Sequence, residues 1–180
     1  IPLHQHIGAP CTPTVKVGDE VKVGQKIGES KATISAPAHS SVSGKVMKIE
    51  QMVLSNGQKG EVVVIESDGL NELGYTETND DFTQLSKEVI LERIKEAGIV
   101  GLGGAGFPTH IKMKKKPDVK IEEVILNGAE CEPYLTSDQL NMELYPQKAI
   151  GGLKIIMKLM DCDKGYIAVS YTHLTLPTKA

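Results

Sequence analysis

Apolar and polar residues alternate in short runs over the first 68 residues. The tetrapeptide Val-Lys-Val-Gly occurs twice, at 15–18 and 21–24, and an Asn56-Gly57 dipeptide separates the later segment Val-Ser-Gly-Lys-Val at 42–46 from the apolar run at 62–65. Alternation with a period of two, bounded by Gly, Asp and Asn, is typical of short strands joined by tight turns. The pattern predicts a small all-β unit of roughly seven short strands.

The apolar period changes farther along the chain. Residues 69–85 are mostly polar or glycine, which is typical of a solvated linker. From Ser86 the period becomes helical, with Ile90 and Ile94 on one face. We expect Ser86 to be the N-cap of this helix and Gly98 to follow its end at the C′ position.

A strand-helix-strand order follows this first helix. After a glycine-rich loop and a short basic helix that ends before Pro117, the apolar centre of residues 123–127 predicts a buried strand. A longer helix is predicted over residues 146–159 and a second strand over residues 165–169. This order is typical of a parallel βαβ unit, so residues 86–169 are predicted to be the first part of an α/β domain with a parallel sheet.

Charge and composition narrow the functions that this chain can have. Asp and Glu number 23 against 20 for Lys and Arg, the net charge is −3, and Arg93 is the single arginine. Because base readout and phosphate clamps rely on arginine, a nucleic-acid surface is disfavoured, and bound phosphate would be held by backbone amides and lysine. Cys11, Cys131 and Cys162 include no Cys-x-x-Cys pair, so this chain alone builds neither a disulfide framework nor a cysteine-ligated cluster. The sequence contains no run of 18 apolar residues, so it predicts no membrane-spanning helix.

A glycine-rich loop is the first candidate site. Residues 101–106 read Gly-Leu-Gly-Gly-Ala-Gly and fit the G-x-G-x-x-G pattern of dinucleotide-binding loops. A helix rather than a strand precedes the loop and Pro108 follows it, so a different glycine cradle is favoured over a standard Rossmann turn. Because glycine has no side chain, the backbone amides of the loop are exposed and favour binding of a phosphate or a flat ring. The alternative interpretation is that the loop is an ordinary flexible turn without a ligand. Lys112 lies within about a turn and a half of the glycines, close enough to reach a phosphate or carbonyl oxygen.

A second polar cluster follows the first strand predicted in the α/β domain. Residues 127–134 read Asn-Gly-Ala-Glu-Cys-Glu-Pro-Tyr. Ligands of open α/β sheets collect at the carboxyl ends of strands, so Asn127, Glu130 and Glu132 are candidates to hydrogen-bond ribose hydroxyls or a ring edge. The alternative is a solvated turn with both carboxylates in water. Cys131 is more typical of a small buried side chain than of a thiol ligand.

Three segments carry a resemblance to a known family. Residues 1–10 read Ile-Pro-Leu-His-Gln-His-Ile-Gly-Ala-Pro, residues 98–109 read Gly-Ile-Val-Gly-Leu-Gly-Gly-Ala-Gly-Phe-Pro-Thr, and the third segment is the cluster at 127–134. Together they resemble the family of the C subunit of the Rnf complex, the ion-translocating ferredoxin:NAD oxidoreductase, over residues 1 to about 169. That family is similar, more distantly, to the flavin-bearing NADH subunit of respiratory complex I, which usually has an arginine where Leu102 stands and an aspartate where Ala129 stands.

The resemblance implies a set of cofactor-binding residues. It implies that FMN is cradled by the glycine-rich loop, through Gly101, Gly103, Gly104, Ala105 and Gly106. Lys112 and Asn127 would contact the flavin, and Phe107 would stack near the nicotinamide or adenine of NAD(H). Glu130 and Glu132 would bind ring or ribose groups.

The same resemblance implies a fold and a reaction. The fold is a barrel-sandwich hybrid of the biotinyl or lipoyl type over residues 1–68, followed by the amino-terminal part of an NADH/FMN-binding α/β domain over residues 86–169. The reaction is hydride exchange between NAD(H) and FMN, followed by one-electron steps to 4Fe-4S clusters. We expect the cluster ligands in a carboxyl-terminal region that this chain lacks, and we expect the isolated segment to be inactive.

The implied partners are the other subunits of a membrane-bound, ion-translocating complex, with ferredoxin reached indirectly through that complex. The implied location is the cytoplasmic face of the cell membrane, with attachment through partner subunits, because the chain has neither a spanning segment nor a basic amphipathic surface helix. The alternative within the same chemistry is the FMN-bearing NADH dehydrogenase subunit of another respiratory complex.

A carrier module is the main rival hypothesis. Lys31-Ala32-Thr33, with Pro37 six residues after the lysine, resembles a lipoyl-lysine turn, and modification there would give a binding module without redox activity. Only five residues separate Gln25 from Lys31, which shortens the hairpin that should project the lysine, and Ser30 stands where an aspartate is common. Both features disfavour lipoylation.

Two further hypotheses concern the amino-terminal residues and the chain as a whole. His4, His6 and Cys11 are good zinc-ligand types, but a fourth ligand is not in evidence. The chain could also be a purely structural docking piece without a flavin. We expect the true amino terminus to lie upstream of Ile1, and residues 170–180, which continue no periodic element, to be a cloning or sequence-assembly remnant without function.

Overall fold

The computed structural model describes residues 1–76, 80–102, 104–114, 118–130 and 134–169. The chain divides into two units. The first consists of residues 1–81 and 88–112, and the second consists of residues 82–87 and 113–180. Among the described residues, no helix combines the length and the apolar character that crossing a bilayer requires.

Six strands form the β part of the first unit: β1 (Thr12–Pro13), β2 (Glu20–Val21), β3 (Lys26–Glu29), β4 (Ala38–His39), β5 (Gly44–Val53) and β6 (Lys59–Ser67). They form two antiparallel three-stranded sheets, in the orders β1-β3-β4 and β2-β5-β6, and no closed barrel joins them over residues 1–76. The strands agree with the predicted all-β unit, but they number six rather than roughly seven.

The two Val-Lys-Val-Gly repeats form turns, which accounts for the smaller number of strands. The Lys16 N–H donates to Oδ2 of Asp19 at 2.8 Å, and the Asp19 N–H donates back to the Lys16 carbonyl at 3.1 Å. Gly18 has φ +96°, which favours glycine, and Val17 is 63% exposed. The second repeat supplies Val21 to β2 and then makes the same turn: the Lys22 N–H donates to Oε1 of Gln25 at 3.0 Å, and the Gln25 N–H donates to the Lys22 carbonyl at 3.1 Å. In both repeats the side chain of the residue after the glycine, Asp19 or Gln25, therefore closes a turn within the alternating pattern.

The core of the first unit lies beneath the strands. Leu3, Ile27, Val46 and Val63 are each at most 1% exposed, and smaller apolar side chains surround them. Burying each of these side chains stabilises the unit by about 1.5–3 kcal/mol. The Leu3 N–H also donates to the Glu61 carbonyl at 3.0 Å, so the first residues of the chain are fixed beside β6.

The longest paired element is the hairpin of β5 and β6. Its pairing runs from Gly44 opposite Ser67 to Val53 opposite Lys59. At its tip the Gln58 N–H donates to Oδ1 of Asn56 at 3.0 Å, and Gly57 has φ +78°. The turn predicted at Asn56-Gly57 is confirmed, because Asn accepts from the backbone two residues on and Gly tolerates positive φ.

Helix α1 (Lys87–Glu96) follows a short 3₁₀ turn at Phe82–Gln84, and a second helix, α2 (Thr109–Lys112), lies farther along the chain. Helix α1 begins directly after Ser86, and its end forms a Schellman motif. The Gly98 N–H donates to the Lys95 carbonyl at 2.9 Å and the Ile99 N–H donates to the Ile94 carbonyl at 3.3 Å, with Gly98 at φ +66°. The prediction that Gly98 occupies the C′ position is confirmed.

The second unit contains a pair of parallel strands, β7 (Val124–Asn127) and β8 (Gly165–Ala168), paired from Val124 opposite Gly165 to Asn127 opposite Ala168. Helices α3 (Ser137–Leu144) and α4 (Pro146–Met160) connect them. Helix α4 confirms the helix predicted over residues 146–159, whereas the sequence pattern did not predict α3. The prediction that the first strand is buried is wrong, because Ile125 is 62% exposed and the buried apolar residues come mainly from α4.

Candidate functional site

The glycine-rich loop begins where α1 ends. The Gly101 N–H donates to the Phe107 carbonyl at 3.0 Å, and the Thr109 N–H donates to the Ile99 carbonyl at 3.0 Å. Val100 pairs with Pro108 as a single bridge, so no strand of the Rossmann type precedes the loop among the described residues. The short basic helix predicted after the loop is the four-residue α2, which ends at Lys112 rather than just before Pro117. The loop is thus closed at its base by backbone hydrogen bonds.

One side of the loop lies against the amino-terminal segment, residues 4–8. The Ile7 N–H donates to the Ala105 carbonyl at 2.9 Å. Gly106 has φ +63°, and a Cβ there would lie 3.0 Å from both the Gln5 carbonyl oxygen and the Cα of His6. Glycine at 106 therefore permits a close approach of two backbones, as well as a positive φ.

The loop faces open space at Gly104. Gly104 has φ +116°, and no atom lies within 4 Å of the position of a Cβ there. Within the described part of the chain, the amides of Leu102, Gly104 and Ala105 donate to no backbone carbonyl. Side-chain-free backbone with available amide groups is what a phosphate or a flat ring requires for close approach.

A groove of about 700 Å³ includes Gly104 in its lining. One wall is the glycine-rich loop, and the other consists of the amino-terminal segment and the tip of the β5–β6 hairpin. Its described lining comprises His4, Gln5, His6, Ile7, Gly8, Ser55, Asn56, Val100, Gly101, Leu102, Gly104, Ala105 and Gly106. No carboxylate belongs to this described lining, which makes the groove compatible with a negatively charged ligand.

The sequence pattern missed the contribution of His4, Ser55 and Asn56 to this groove. Residues 1–10 form a characteristic segment, but the pattern assigns none of their side chains to a nucleotide. The hairpin tip is identifiable from sequence only as a turn. Nothing in the local sequence signals that a segment about 50 residues before the loop lies beside it, since that proximity depends on tertiary packing.

His6 is a structural residue of the amino-terminal segment. It is 9% exposed, and its Nε2 accepts from the Ala36 N–H at 3.1 Å. Its Nδ1 lies 3.0 Å from the Ile7 carbonyl oxygen, so the tautomer with the proton on Nδ1 satisfies both contacts. Burial raises the pKa of the Cys11 thiol, whose sulfur donates to the Ala36 carbonyl at 3.1 Å. Both groups are thus engaged within the protein, and the described residues contain no group of three metal-ligand side chains.

The end of α1 is anchored on the β sheets. A Cβ on Gly98 would lie 2.6 Å from the Pro37 carbonyl oxygen and 3.0 Å from Nδ1 of His39. Lys26 on β3 forms an ion pair with Glu96 at 2.5 Å. Burial lowers the pKa of His39, which favours its neutral form beside this helix end. These contacts fix where the glycine-rich loop begins.

Lys31 lies in the connection between β3 and β4, outside the groove. It is exposed, and the connection spans residues 30–37. The Ala32 N–H donates to the Ser30 hydroxyl at 3.3 Å within this connection. The lysine therefore lies in an eight-residue loop rather than at the tip of a tight hairpin.

The structure places the predicted site residues in two groups. Gly101, Gly104, Ala105 and Gly106 line the groove, while Phe107 is 38% exposed and Lys112, at the end of α2, is exposed. Gly103 and Glu132 lie outside the described residues, as does Cys131. Asn127 and Glu130 belong to the second unit.

Asn127 and Glu130 have partners within the second unit. Asn127 is the last residue of β7, and its Oδ1 accepts from the Ala129 N–H at 3.1 Å. Oε1 of Glu130 accepts from the Ser137 hydroxyl at 2.9 Å and from the Asp138 N–H at 3.0 Å, at the start of α3. Although burial acts to raise it, these hydrogen bonds hold the pKa of Glu130 below its ordinary value, so the carboxylate is charged at neutral pH.

Comparison with known proteins identifies two family models along the chain. Residues 1–70 match the model described as the RnfC barrel sandwich hybrid domain, and residues 94–175 match the model described as the Nuo51 FMN-binding domain. Both agree with the mixed architecture of strands and helices.

Curated relatives give a consistent result. The chain is 47% identical over 170 residues to the C subunit of the Na(+)-translocating ferredoxin:NAD(+) oxidoreductase complex of Acetobacterium woodii, covering 94% of this chain and 38% of that relative. It is 45% identical to the C subunit of the proton-translocating ferredoxin:NAD(+) oxidoreductase complex of Clostridium ljungdahlii, covering 94% of this chain and 37% of the relative. Identity to the C subunit of the ion-translocating oxidoreductase complex of Pseudomonas aeruginosa is 42% over 162 residues, with 89% of this chain and 21% of the relative covered. The chain thus spans well under half the length of these relatives, and it belongs to the RnfC family, the C subunits of the Rnf ion-translocating oxidoreductase complexes.

Proposed function

We propose that this chain forms the beginning of the NADH- and FMN-binding portion of an electron-transfer subunit in an ion-translocating oxidoreductase complex. The observation that carries the proposal is the groove in front of Gly104, where open backbone and available amides form one wall. The match of residues 94–175 to an FMN-binding domain supports FMN as the occupant.

The residues of the first unit fit a phosphorylated flavin. Gly104 lines the groove with a positive φ and no side chain, which leaves its backbone open to close approach by a ring or a phosphate. We propose that Gly101, Gly103, Gly104, Ala105 and Gly106 hold FMN through their backbone. Lys112 supplies a positive charge from the end of α2, and the partly exposed Phe107 offers a face for the nicotinamide or adenine of NAD(H).

We assign the remaining contacts to the second unit. Asn127 would present its amide to the flavin, and Glu130 and Glu132 would bind ring or ribose groups. The Glu130 carboxylate is held in place by the start of α3, which makes it an ordered hydrogen-bond acceptor. When bound, FMN would accept two electrons as a hydride and pass them on one at a time to one-electron acceptors.

The domain boundaries and the partners are part of the same proposal. We assign residues 1–68 to a barrel-sandwich hybrid and residues 86–169 to part of the NADH/FMN domain, joined by residues 69–85. The electron acceptors would be 4Fe-4S clusters held by a carboxyl-terminal region outside this chain. The complex would contain further subunits, exchange electrons with ferredoxin, and hold this chain at the cytoplasmic face of a membrane. The segment alone would bind FMN weakly, because part of a pocket does not enclose a ring.

The experiment compares two glycine substitutions in a protein of the length of the curated relatives. Gly104 and Gly18 both have positive φ, +116° and +96°, and neither has an atom within 4 Å of a Cβ. Gly104→Val and Gly18→Val therefore carry similar backbone strain, but only Gly104 belongs to the lining of the groove. We expect FMN per protein, measured by fluorescence after acid release, to fall to less than about a tenth in Gly104→Val and to be retained in Gly18→Val. Equal FMN content in the two variants would contradict the proposed site.

A further inference from the structure

The groove has a second wall that comes from the β sheets, and it is the basis of a more specific inference. His4 in the amino-terminal segment and Ser55-Asn56 at the tip of the β5–β6 hairpin line it together with the glycine-rich loop. His4 is half-buried, with its ring edge-on to the His6 ring at 6.1 Å between centroids. Because His6 is fixed by hydrogen bonds on both nitrogens, the His4 ring has a rigid support.

Asn56 is also fixed, with one half of its amide still available. Its Oδ1 accepts from the Gln58 N–H at 3.0 Å, which leaves the NH₂ group as the donor end of the side chain. Ser55 offers a hydroxyl beside it. The second wall therefore presents hydrogen-bond donors on backbone turns that are themselves held by hydrogen bonds.

The charge of the lining side chains distinguishes this groove from another large surface cavity of the first unit. That cavity, of about 470 Å³, is lined by Glu20, Glu66, Asp68 and Glu72 together with two lysines and several uncharged residues. Carboxylates at such density repel an anion, whereas the described lining of the groove contains none. With backbone amides on one wall and side-chain donors on the other, the groove suits a phosphate group.

The geometry points to a phosphate subsite shared by the two walls, in which His4 and Asn56 of the β sheets bind the phosphate of a nucleotide held by the glycine-rich loop. This inference rests on the proposed function and extends it. The sheet unit is then a direct contributor to nucleotide binding rather than a spacer or a carrier of a modified lysine. The phosphate is either the 5′-phosphate of FMN or the pyrophosphate of NADH, which share the same chemistry.

Asn56→Asp is the sharpest perturbation of this subsite. The substitution keeps the Oδ1 acceptor for the Gln58 N–H and replaces the donor NH₂ by a charged oxygen. Asn71→Asp is its matched control, because it makes the same charge change on an exposed residue of the same unit. Asn71 lies near the far end of the hairpin, because the N–H of the next residue, Glu72, donates to the Ser43 hydroxyl beside the start of β5. At about 3.3 Å per paired residue, the length of the hairpin separates Asn71 from Asn56 by roughly 30 Å. That separation exceeds the Debye length of about 8 Å at physiological salt.

The test uses a protein of the length of the curated relatives and measures the Kd of four probes: FMN, riboflavin, NADH and reduced nicotinamide riboside. If the subsite holds the phosphate of FMN, Asn56→Asp weakens FMN about tenfold and leaves riboflavin unchanged. If it holds the pyrophosphate of NADH, the Kd of NADH rises by a similar factor while that of FMN and of the riboside does not. His4→Phe, which keeps a ring against His6 and removes the donor, weakens the same probe.

Equal affinities of Asn56→Asp and Asn71→Asp for all four probes would overturn the subsite. This failure is distinguishable from failure of the proposed function. If Gly104→Val loses FMN while Asn56→Asp behaves like its control, the flavin site stands and only the second wall is wrong. If Gly104→Val retains FMN, the flavin site itself is wrong.

Discussion

Gly98→Ala tests whether the contact between the end of α1 and the β sheets holds the glycine-rich loop in place. Gly98 has φ +66°, and placing Ala in this region costs about 1–2 kcal/mol. The new Cβ would also lie 2.6 Å from the Pro37 carbonyl oxygen and 3.0 Å from Nδ1 of His39, so the helix end must move away from the sheets. Such overpacking costs about 1–3 kcal/mol more.

Gly69→Ala separates the two contributions. Gly69 has φ +75°, and its Cβ would meet no atom within 4 Å, so this variant measures the backbone cost alone. We expect Gly98→Ala to lower the free energy of unfolding of the first unit by about 2–5 kcal/mol and Gly69→Ala by about 1–2 kcal/mol.

Hydrogen exchange of peptides from the β5–β6 hairpin, measured across a urea series, gives the stability of the first unit. Exchange of the peptide over residues 99–108 reports whether the loop keeps its position. The loop peptide should lose protection in Gly98→Ala and keep it in Gly69→Ala, because only the first variant displaces the helix end from which the loop starts. Equal losses of stability and equal exchange of the loop peptide in the two variants would refute the reasoning.

Two further variants probe the support of the groove. Glu96→Gln removes the charge that pairs with Lys26, and because both side chains are partly exposed we expect a loss below about 1 kcal/mol at neutral pH. The hydrogen bond from Lys26 holds the pKa of Glu96 below its ordinary value, so this contribution is present above the ordinary pKa and is lost as the pH falls through the lowered one. Urea midpoints of wild type and Glu96→Gln should therefore differ at neutral pH and converge as the pH falls through the lowered pKa of Glu96, and a constant difference would contradict the assignment. His6→Ala leaves the Ala36 N–H without its acceptor in a buried position, and we expect a loss of about 2–5 kcal/mol in urea unfolding, far more than for His4→Ala.

Local features of this fold were predictable because single residues enforce them. Asn56-Gly57 makes a turn through an Asx hydrogen bond and a positive φ, and Gly98 ends α1 through the same backbone freedom. Pro146 marks the start of α4, where its missing N–H has no intrahelical partner to lose. In each case the signal lies within a few residues of the feature that it determines.

Other features were not predictable because they depend on competition or on distant partners. Alternation alone does not reveal that the Asp19 and Gln25 side chains close turns in the two Val-Lys-Val-Gly repeats. Helix α3 has only eight residues, too short for a clear apolar period, and its start is held by Glu130 from outside the helix. The apolar centre of β7 is typical of a buried strand, yet its exposure is set by what packs on it rather than by its own sequence.

The candidate site divides in the same way. The glycine-rich loop was identified from its own residues, since glycine repeats carry their physical meaning locally. The second wall of the groove comes from residues 4–8 and from the hairpin tip. These segments lie next to the loop only because tertiary contacts, such as the hydrogen bond from the Ile7 N–H to the Ala105 carbonyl, join distant parts of the chain. A binding loop is thus easier to predict from sequence than the surface that faces it.

A structure of the protein at the length of its curated relatives, determined with FMN bound, tests the central claim most directly. We predict that FMN lies in the groove of the first unit, with its atoms within van der Waals distance of Gly104 and Ala105 and its phosphate close to backbone amides of the loop. Flavin bound elsewhere, with the space in front of Gly104 filled by protein or left to solvent, would contradict the account.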